Sequence, residues 1–279
     1  MSGASYSEAV SIARDYYNSD DADNFYHIVW GGEDIHVGLY ETPEESIFDA
    51  SRRTVRRLAE RLSGLGPQST VLDIGAGYGG AARYLAKTYG CKVVALNLSE
   101  VENERDRAMC REQGLDHLVT VVDGSFESIP AENASFDAVW SQDAILHSGH
   151  RKKVLEEVVR VMKPGARFVF TDPMAADDCP AGVLTPILQR IHLDTLGSPG
   201  WYIENLKALG LEDLGYEDHA GQLATHYGRV LAETERREAD LVGRVSSDYI
   251  ARMKKGLRHW VDGGNAGHLA WGIFLFRKP

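Results

Sequence analysis

Two short stretches of this chain carry residues whose types and spacing could do chemistry. The first, Asp73-Ile74-Gly75-Ala76-Gly77-Tyr78-Gly79-Gly80, sets a carboxylate beside four glycines. Glycines in such a turn let a ligand lie against bare backbone, where a Cβ would fill its space. The spacing Gly75-x-Gly77-x-x-Gly80 satisfies a dinucleotide fingerprint. Asp73, two residues before the first glycine, argues otherwise, because a carboxylate there suits a cationic amino-acid head group better than a pyrophosphate. The second stretch, Gln142-Asp143-Ala144-Ile145-Leu146-His147, pairs an acid with an imidazole that can exchange a proton near neutral pH. Upstream, Tyr17, Tyr26, Trp30, His36 and Tyr40 crowd a segment rich in aromatics. It reads as a cap that walls off a cleft and offers Tyr and His for proton chemistry, or as an arm simply packed on the core.

The elements that must position these groups follow from periodicity and punctuation. Residues 69–74 read as a buried strand running into the glycine turn, and 78–89 as the helix after it. Strands at 92–97, 119–123, 136–142 and 167–172 alternate with helices near 100–113 and 150–162. This implies an α/β fold with a parallel sheet and ligands across its carboxyl edge. The string VLDIGAGYGG resembles the first motif of the class I S-adenosylmethionine-dependent methyltransferases. The resemblance implies a Rossmann-like, seven-stranded, mostly parallel sheet with helices on both faces, and S-adenosylmethionine as cofactor, with S-adenosylhomocysteine as product. Asp73, Gly75, Ala76, Gly77 and Gln142 would then hold it, with Asn97 and Leu98 at the second strand's tip and Asp123, Gly124 and Ser125 at the third's. Position 97 departs from the usual acid, since an Asp or Glu normally reads the ribose hydroxyls. Asn97 can still hydrogen-bond a hydroxyl. In the methyltransferase pattern Asp123 is the adenine contact, the reading favoured here, although an Asp could also serve as a helix N-cap.

Composition sets the outer limits. At 279 residues and 43% hydrophobic content the chain can bury a substantial core. A net charge of −11 makes nucleic acid and anionic membrane poor partners and a small polar substrate more natural. Cys91, Cys110 and Cys179 lack metal-ligand spacing and read as reduced thiols of a cytoplasmic protein. No apolar run is long enough to span a bilayer, no signal peptide is evident, and no metal is expected. The chain divides into an N-terminal helical arm and cap (1–65), an α/β core (66–172) and lid insertions with C-terminal strands (173–279). In the arm, 5–18 reads as helical, 24–40 shows neither helical nor strand period, and 43–63 reads as an amphipathic helix starting at Pro43. In the last part, a helix near 200–209 and a strand near 211–218 precede a polar helical region at about 220–262. That region reads as a lid or an oligomer face, in a monomer or small homo-oligomer, before a final strand at 269–276.

The flanks sharpen the resemblance. The arm's Tyr-Tyr-Asn, Asp-Asn-Phe-Tyr and Trp-Gly-Gly-Glu-Asp-Ile-His-Val-Gly-Leu-Tyr strings, with SQDAILHS and AWGIFLFRK, resemble the sarcosine/dimethylglycine N-methyltransferases that make glycine betaine, over essentially the whole chain. DAILH also looks like the corresponding string of phosphoethanolamine methyltransferases. That likeness implies His147, Asp143 and an arm tyrosine, Tyr17 or its rival Tyr26, around a small amine acceptor. Tyr26, Trp30 and Tyr40 would accommodate a methylated cationic nitrogen. His147 would remove the amine's proton, or else simply open the following helix. The acceptor's carboxylate has four candidate cations, Arg52, Arg53, Arg190 and Arg258, with His36 as a neutral donor. The same core also serves O-methyltransferases of sugar or natural-product hydroxyls, which remain the alternative. An NAD-linked oxidoreductase fits poorly with Asp73, Asn97 and Asp123, and a non-catalytic cofactor-binding scaffold with so equipped an arm.

Overall fold

A computed structural model of the protein describes residues 8–279. The arm comprises α1 (Glu8–Tyr17), α2 (Asp20–Trp30) and α3 (Ile47–Arg61). The core follows as β1 (Thr70–Ile74), α4 (Gly80–Tyr89), β2 (Lys92–Asn97), α5 (Glu100–Glu112), β3 (Val119–Asp123), β4 (Phe136–Gln142), α6 (Arg151–Val161) and β5 (Met162–Thr171). Then come β6 (Met174–Ala175), α7 (Thr185–Arg190), α8 (Pro199–Ala208), β7 (Glu212–Asp218), α9 (Ala220–Arg236), α10 (Glu238–Leu241), α11 (Ser247–Asn265), β8 (Leu269–Ala270) and β9 (Gly272–Arg277). A seven-stranded sheet runs β3-β2-β1-β4-β5-β9-β7. The first five strands pair in parallel, and β9 alone runs against its neighbours. Alternate residues of each strand feed opposite faces, as the two-residue period requires. Leu72, Ile74, Val139 and Phe168 pack with α6 and α8. Val71, Val93, Ala138 and Val169 pack with α3 and α4. None of the helices among the described residues is long and apolar enough to cross a membrane.

Several element boundaries differ from the sequence expectation. The start of the first helix at residue 5 lies outside the described residues. Residues 24–30, expected to be aperiodic, belong to α2. Its N-terminus is made by Ser19, which accepts the Ala22 N–H at 3.2 Å, and by three aspartates in the first turn. Both features favour a helix start. α3 begins at Ile47, not Pro43, because Ser46 caps it by accepting the Asp49 N–H. The final strand is split at Trp271, whose ring turns in to be fully buried.

The region at 220–262 is two main helices with buried faces. Val230, Leu241, Tyr249, Met253 and Leu257 share one apolar cluster with Ala22, Phe25, Val29 and Trp30 of α2. The C-terminal helices and the arm are thus halves of a single cap. Polar contacts tie that cap to α5. Arg14 pairs with Glu100, Asn18 donates to Glu100 at 2.7 Å and receives the Ser99 hydroxyl at 2.8 Å, and Arg105 chelates Asp23.

Candidate active site

At the end of β1 the chain turns through Gly75 and Gly77, both at positive φ, a conformation that costs glycine little. The reason for glycine here is partly protein packing rather than ligand space. A Cβ on Gly75 would overlap Ala144, and one on Gly80 would overlap the Asp34 carboxylate. A narrow cleft beside the turn is lined by Asp34, His36, Asp73, Gly75, Ala76, Gly77 and Gln142, among others. Asp73 is 2% exposed, and its Oδ2 has no partner among the described residues. Burial, then the nearby Asp106 and Asp34 carboxylates, push its pKa well above the usual range. Arg52 pairs with Asp34 and Glu33, while Arg83 pairs with Asp106 and Glu33. The group therefore sets four carboxylates, Glu33, Asp34, Asp73 and Asp106, against two guanidiniums. An electron-rich cleft with an unpartnered buried oxygen fits the ammonium of an amino-acid head group. Asp34 was missed in the sequence, where it sat in an unstructured segment.

At the tip of β2, Asn97 is not alone. Its amide donates to Glu102 at 2.9 Å. Glu102 is 4% exposed, and burial raises its pKa to about 7. A buried carboxylate from the first turn of α5 thus stands beside position 97. A carboxylate five residues downstream carries no strand-tip signal, so sequence reasoning did not find it. Leu98 follows in the turn before Ser99, the N-cap of α5. At the β3 tip, Asp123 accepts from Asn103 and Arg107, both at 2.7 Å. Gly124 donates to the Asn97 carbonyl at 3.0 Å, and Ser125 accepts the Glu127 N–H at 3.1 Å. These groups form a continuous polar edge, although none of them lines the narrow cleft around Asp73.

Next to the cleft, beneath the cap, lies a cavity of about 980 Å³. Of the expected site residues it is lined by Tyr17, Tyr26, Trp30, His36, Asp143 and His147. His36 lines both spaces and stands where they meet. Tyr17 Oη lies 2.9 Å from His147 Nε2, a hydrogen bond between the arm and the turn after β4. Tyr26 instead faces Tyr16, Oη to Oη at 3.4 Å. Of the two rival tyrosines, Tyr17 is the one on His147. Burial, then Arg190, lower the His147 pKa to about 4. Burial, then Tyr16, raise that of Tyr17 well above the ordinary phenol. The pair is thus charge-neutral at physiological pH. Rings follow one another along the wall, with Tyr17–Tyr26 centroids at 5.9 Å, Tyr26–Trp30 at 4.9 Å and Trp30–His226 at 5.7 Å.

Other expected residues play different parts. Asp143, at φ 52°, accepts the Val37 N–H at 2.7 Å on one oxygen and the Trp271 indole N–H at 2.7 Å on the other. It staples the arm and the last strand to the site. Asp172 accepts from the Leu146 N–H at 2.9 Å and the Tyr202 hydroxyl at 2.6 Å, and so fixes the turn that carries His147. Tyr40 does not line the cavity. Its hydroxyl lies behind the wall, 3.0 Å from His226 Nδ1. Among the candidate arginines, Arg52 is committed to Asp34 and Glu33, Arg53 to Glu45 and Glu41, and Arg258 to Glu235. Arg190 lines the cavity, its side chain lying against Gly256 with one guanidinium nitrogen 2.7 Å from the Met253 sulfur.

A family model described as a methyltransferase domain matches residues 72–170. The sarcosine/dimethylglycine N-methyltransferase of Halorhodospira halochloris is 62% identical, over 97% of this chain and 97% of its own length. The glycine/sarcosine/dimethylglycine N-methyltransferase of Actinopolyspora halophila is 59% identical over 98% of this chain, which spans 48% of that longer protein. The crystal structure of a candidate sarcosine dimethylglycine methyltransferase from Galdieria sulphuraria superposes with a TM-score of 0.90. It shares 45% identity, with 94% of this chain and 98% of that one covered.

Proposed function

This chain belongs to the sarcosine/dimethylglycine N-methyltransferases, S-adenosylmethionine-dependent enzymes of the class I fold, and from that membership we propose how its own residues methylate sarcosine and dimethylglycine toward glycine betaine. When bound, S-adenosylmethionine supplies an electrophilic methyl on a sulfonium. Asp73 and Asp34 would receive the ammonium of its amino-acid end, against the glycine turn that lines the same cleft. Glu102 and Asn97 would take the ribose hydroxyls, with Asp123, Gly124 and Ser125 toward the adenine.

The acceptor occupies the ring-lined cavity. An aliphatic amine of pKa near ~10 is about a thousandfold more protonated than free at neutral pH, a handicap of roughly 4 kcal/mol. His147 was expected to take that proton. Burial lowers its pKa to about 4, so the imidazole is a weak base toward an aliphatic amine and the transfer runs uphill. The role that the geometry supports is different: the neutral Tyr17–His147 pair orients the free amine and shuts the cavity to water. Near-attack alignment of this kind can supply up to about 7–11 kcal/mol. The aromatic wall attracts the nitrogen as it acquires positive charge. Arg190 provides the positive potential that draws in the acceptor's carboxylate. Asp143 acts as a positioning residue, and the arm with α9–α11 works as the cap over this chamber.

The observation that carries this reading is the 2.9 Å contact closing the arm over the cavity, next to the electron-rich glycine turn. The experiment is to offer glycine, sarcosine, dimethylglycine and a panel of hydroxyl acceptors separately with labelled cofactor. Labelled dimethylglycine and betaine are expected, and turnover on hydroxyls alone would overturn the assignment.

A further inference from the structure

Among the described residues, two neighbouring rings that line the acceptor cavity each carry a buried nitrogen without a hydrogen-bond partner. His226, on α9, is 1% exposed. Its Nδ1 accepts the Gly38 backbone N–H at 3.2 Å and lies 3.0 Å from the Tyr40 hydroxyl. A backbone N–H can only donate, so Nδ1 is an acceptor and the ring's hydrogen sits on Nε2. That Nε2 has no partner among the described residues. Trp30, on α2, is 5% exposed, and its Nε1, a donor by constitution, is likewise unpartnered. The two rings stand 5.7 Å apart, and both line the cavity. Buried donors are seldom left unmade, because each forfeits its hydration without return.

We propose that Trp30 Nε1–H and His226 Nε2–H form a charge-neutral subsite for the carboxylate of the amino-acid acceptor. This rests on the amino-acid reading above and deepens it. A carboxylate presents two oxygens and about four lone-pair directions, so it can take both ring donors and still face Arg190. Neutral donors hold the anion without a second buried cation beside a sulfonium donor and a nitrogen that is becoming positive. Because the donors come from the arm and from α9, the subsite is complete only when the cap is assembled.

His36 is set apart from this pair. Gln142 accepts the Trp140 indole N–H at 3.0 Å through Oε1, so its amide nitrogen donates to His36 Nδ1 at 3.2 Å. The His36 hydrogen is therefore on Nε2, which faces Asp34 Oδ1 at 3.7 Å, at the cofactor end.

Trp30→Phe is the decisive variant, since it keeps an aromatic face and deletes one N–H. His226→Gln is the second, because Gln keeps a donor and an acceptor. Steady-state kinetics compare dimethylglycine with N,N-dimethylethanolamine, which has a similar nitrogen but no carboxylate. Calorimetry measures S-adenosylmethionine affinity, and thermal unfolding measures stability. In Trp30→Phe the KM for dimethylglycine is expected to rise about tenfold or more, the loss of one hydrogen bond to a charged group. Turnover of the alcohol amine should fall by much less, because Phe keeps a weaker aromatic face toward the nitrogen, while cofactor affinity and Tm should be unchanged, or the Tm raised. His226→Gln should show a smaller rise in the same KM. Three outcomes would overturn the proposal: an unchanged KM for dimethylglycine, equal losses on both amines, or weakened cofactor binding instead. A wild-type enzyme inactive on dimethylglycine would remove the parent reading and this one with it.

Discussion

The neutral state of His147 leads to a sharp test of how the acceptor nitrogen is freed. If the proton leaves to solvent before the amine binds, the transition state contains neutral His147 and a free amine. The value of kcat/KM for dimethylglycine then follows the free-base fraction, rising about tenfold per pH unit and roughly 100-fold between pH 6 and 8. If His147 instead kept the proton during transfer, kcat/KM would be flat from the imidazole pKa up to that of the amine. The buried imidazole, lowered to about 4, and the phenol of Tyr17, raised well above its ordinary value, both predict the slope. The measurement is a pH profile at saturating cofactor. It is repeated with His147→Asn, which can still hydrogen-bond Tyr17, and with an acceptor whose nitrogen is less basic. The slope near one should persist in His147→Asn, with kcat lowered about tenfold through lost alignment. The less basic acceptor should reach its plateau at its own pKa. A flat wild-type profile that acquires a slope only in the variant would refute the reasoning and restore His147 as the base.

Asp73→Asn should raise the S-adenosylmethionine Kd by about 30-fold or more, as removal of one member of a buried charge pair does. The same variant should be more heat-stable without ligand at pH 7. A carboxyl whose folded pKa is raised destabilises the fold increasingly as pH climbs above the unfolded value near ~3.9. Calorimetry and thermal melts check the two opposite signs. Glu102, at about 7, should make cofactor affinity weaken as pH falls below 7, since a protonated carboxyl accepts ribose hydroxyls poorly. Its contribution to stability runs the other way, present below the unfolded pKa near ~4.3 and lost as pH rises toward 7. In Glu102→Gln both dependences should flatten. Arg190→Met should raise the KM for dimethylglycine about tenfold with little change in cofactor Kd, measured by the same kinetics and calorimetry.

Much of the core could be read from residue order, because buried parallel strands are short apolar runs and glycine marks their turns. Val71–Ile74, Val93–Leu96 and Phe168–Phe170 fall where expected. Asn97, Asp123 and Gln142 end their strands where expected for the same reason. What stayed hidden depends on contacts between distant segments. Glu102 reaches Asn97 only because α5 turns back on β2. His226 lies in the region read only as a lid or an oligomer face, and its partners Gly38, Tyr40 and Trp30 come from the distant arm. Tyr40 appeared equivalent to Tyr26 and Trp30, yet it stands behind His226. The helix at 20–30 was legible in principle, since a serine followed by acids is a start signal. The aromatics that follow obscured its period.

The fastening of the arm to α5 carries one more consequence. That helix touches the roof over the acceptor through Glu100 and Arg105, and the strand tips through Glu102 and Asn103. It is a shared beam between two rooms. Whatever steadies its nucleoside end also steadies the tyrosine that bolts the other chamber, so the nucleoside is expected to enter first and the small amine to find its door already framed.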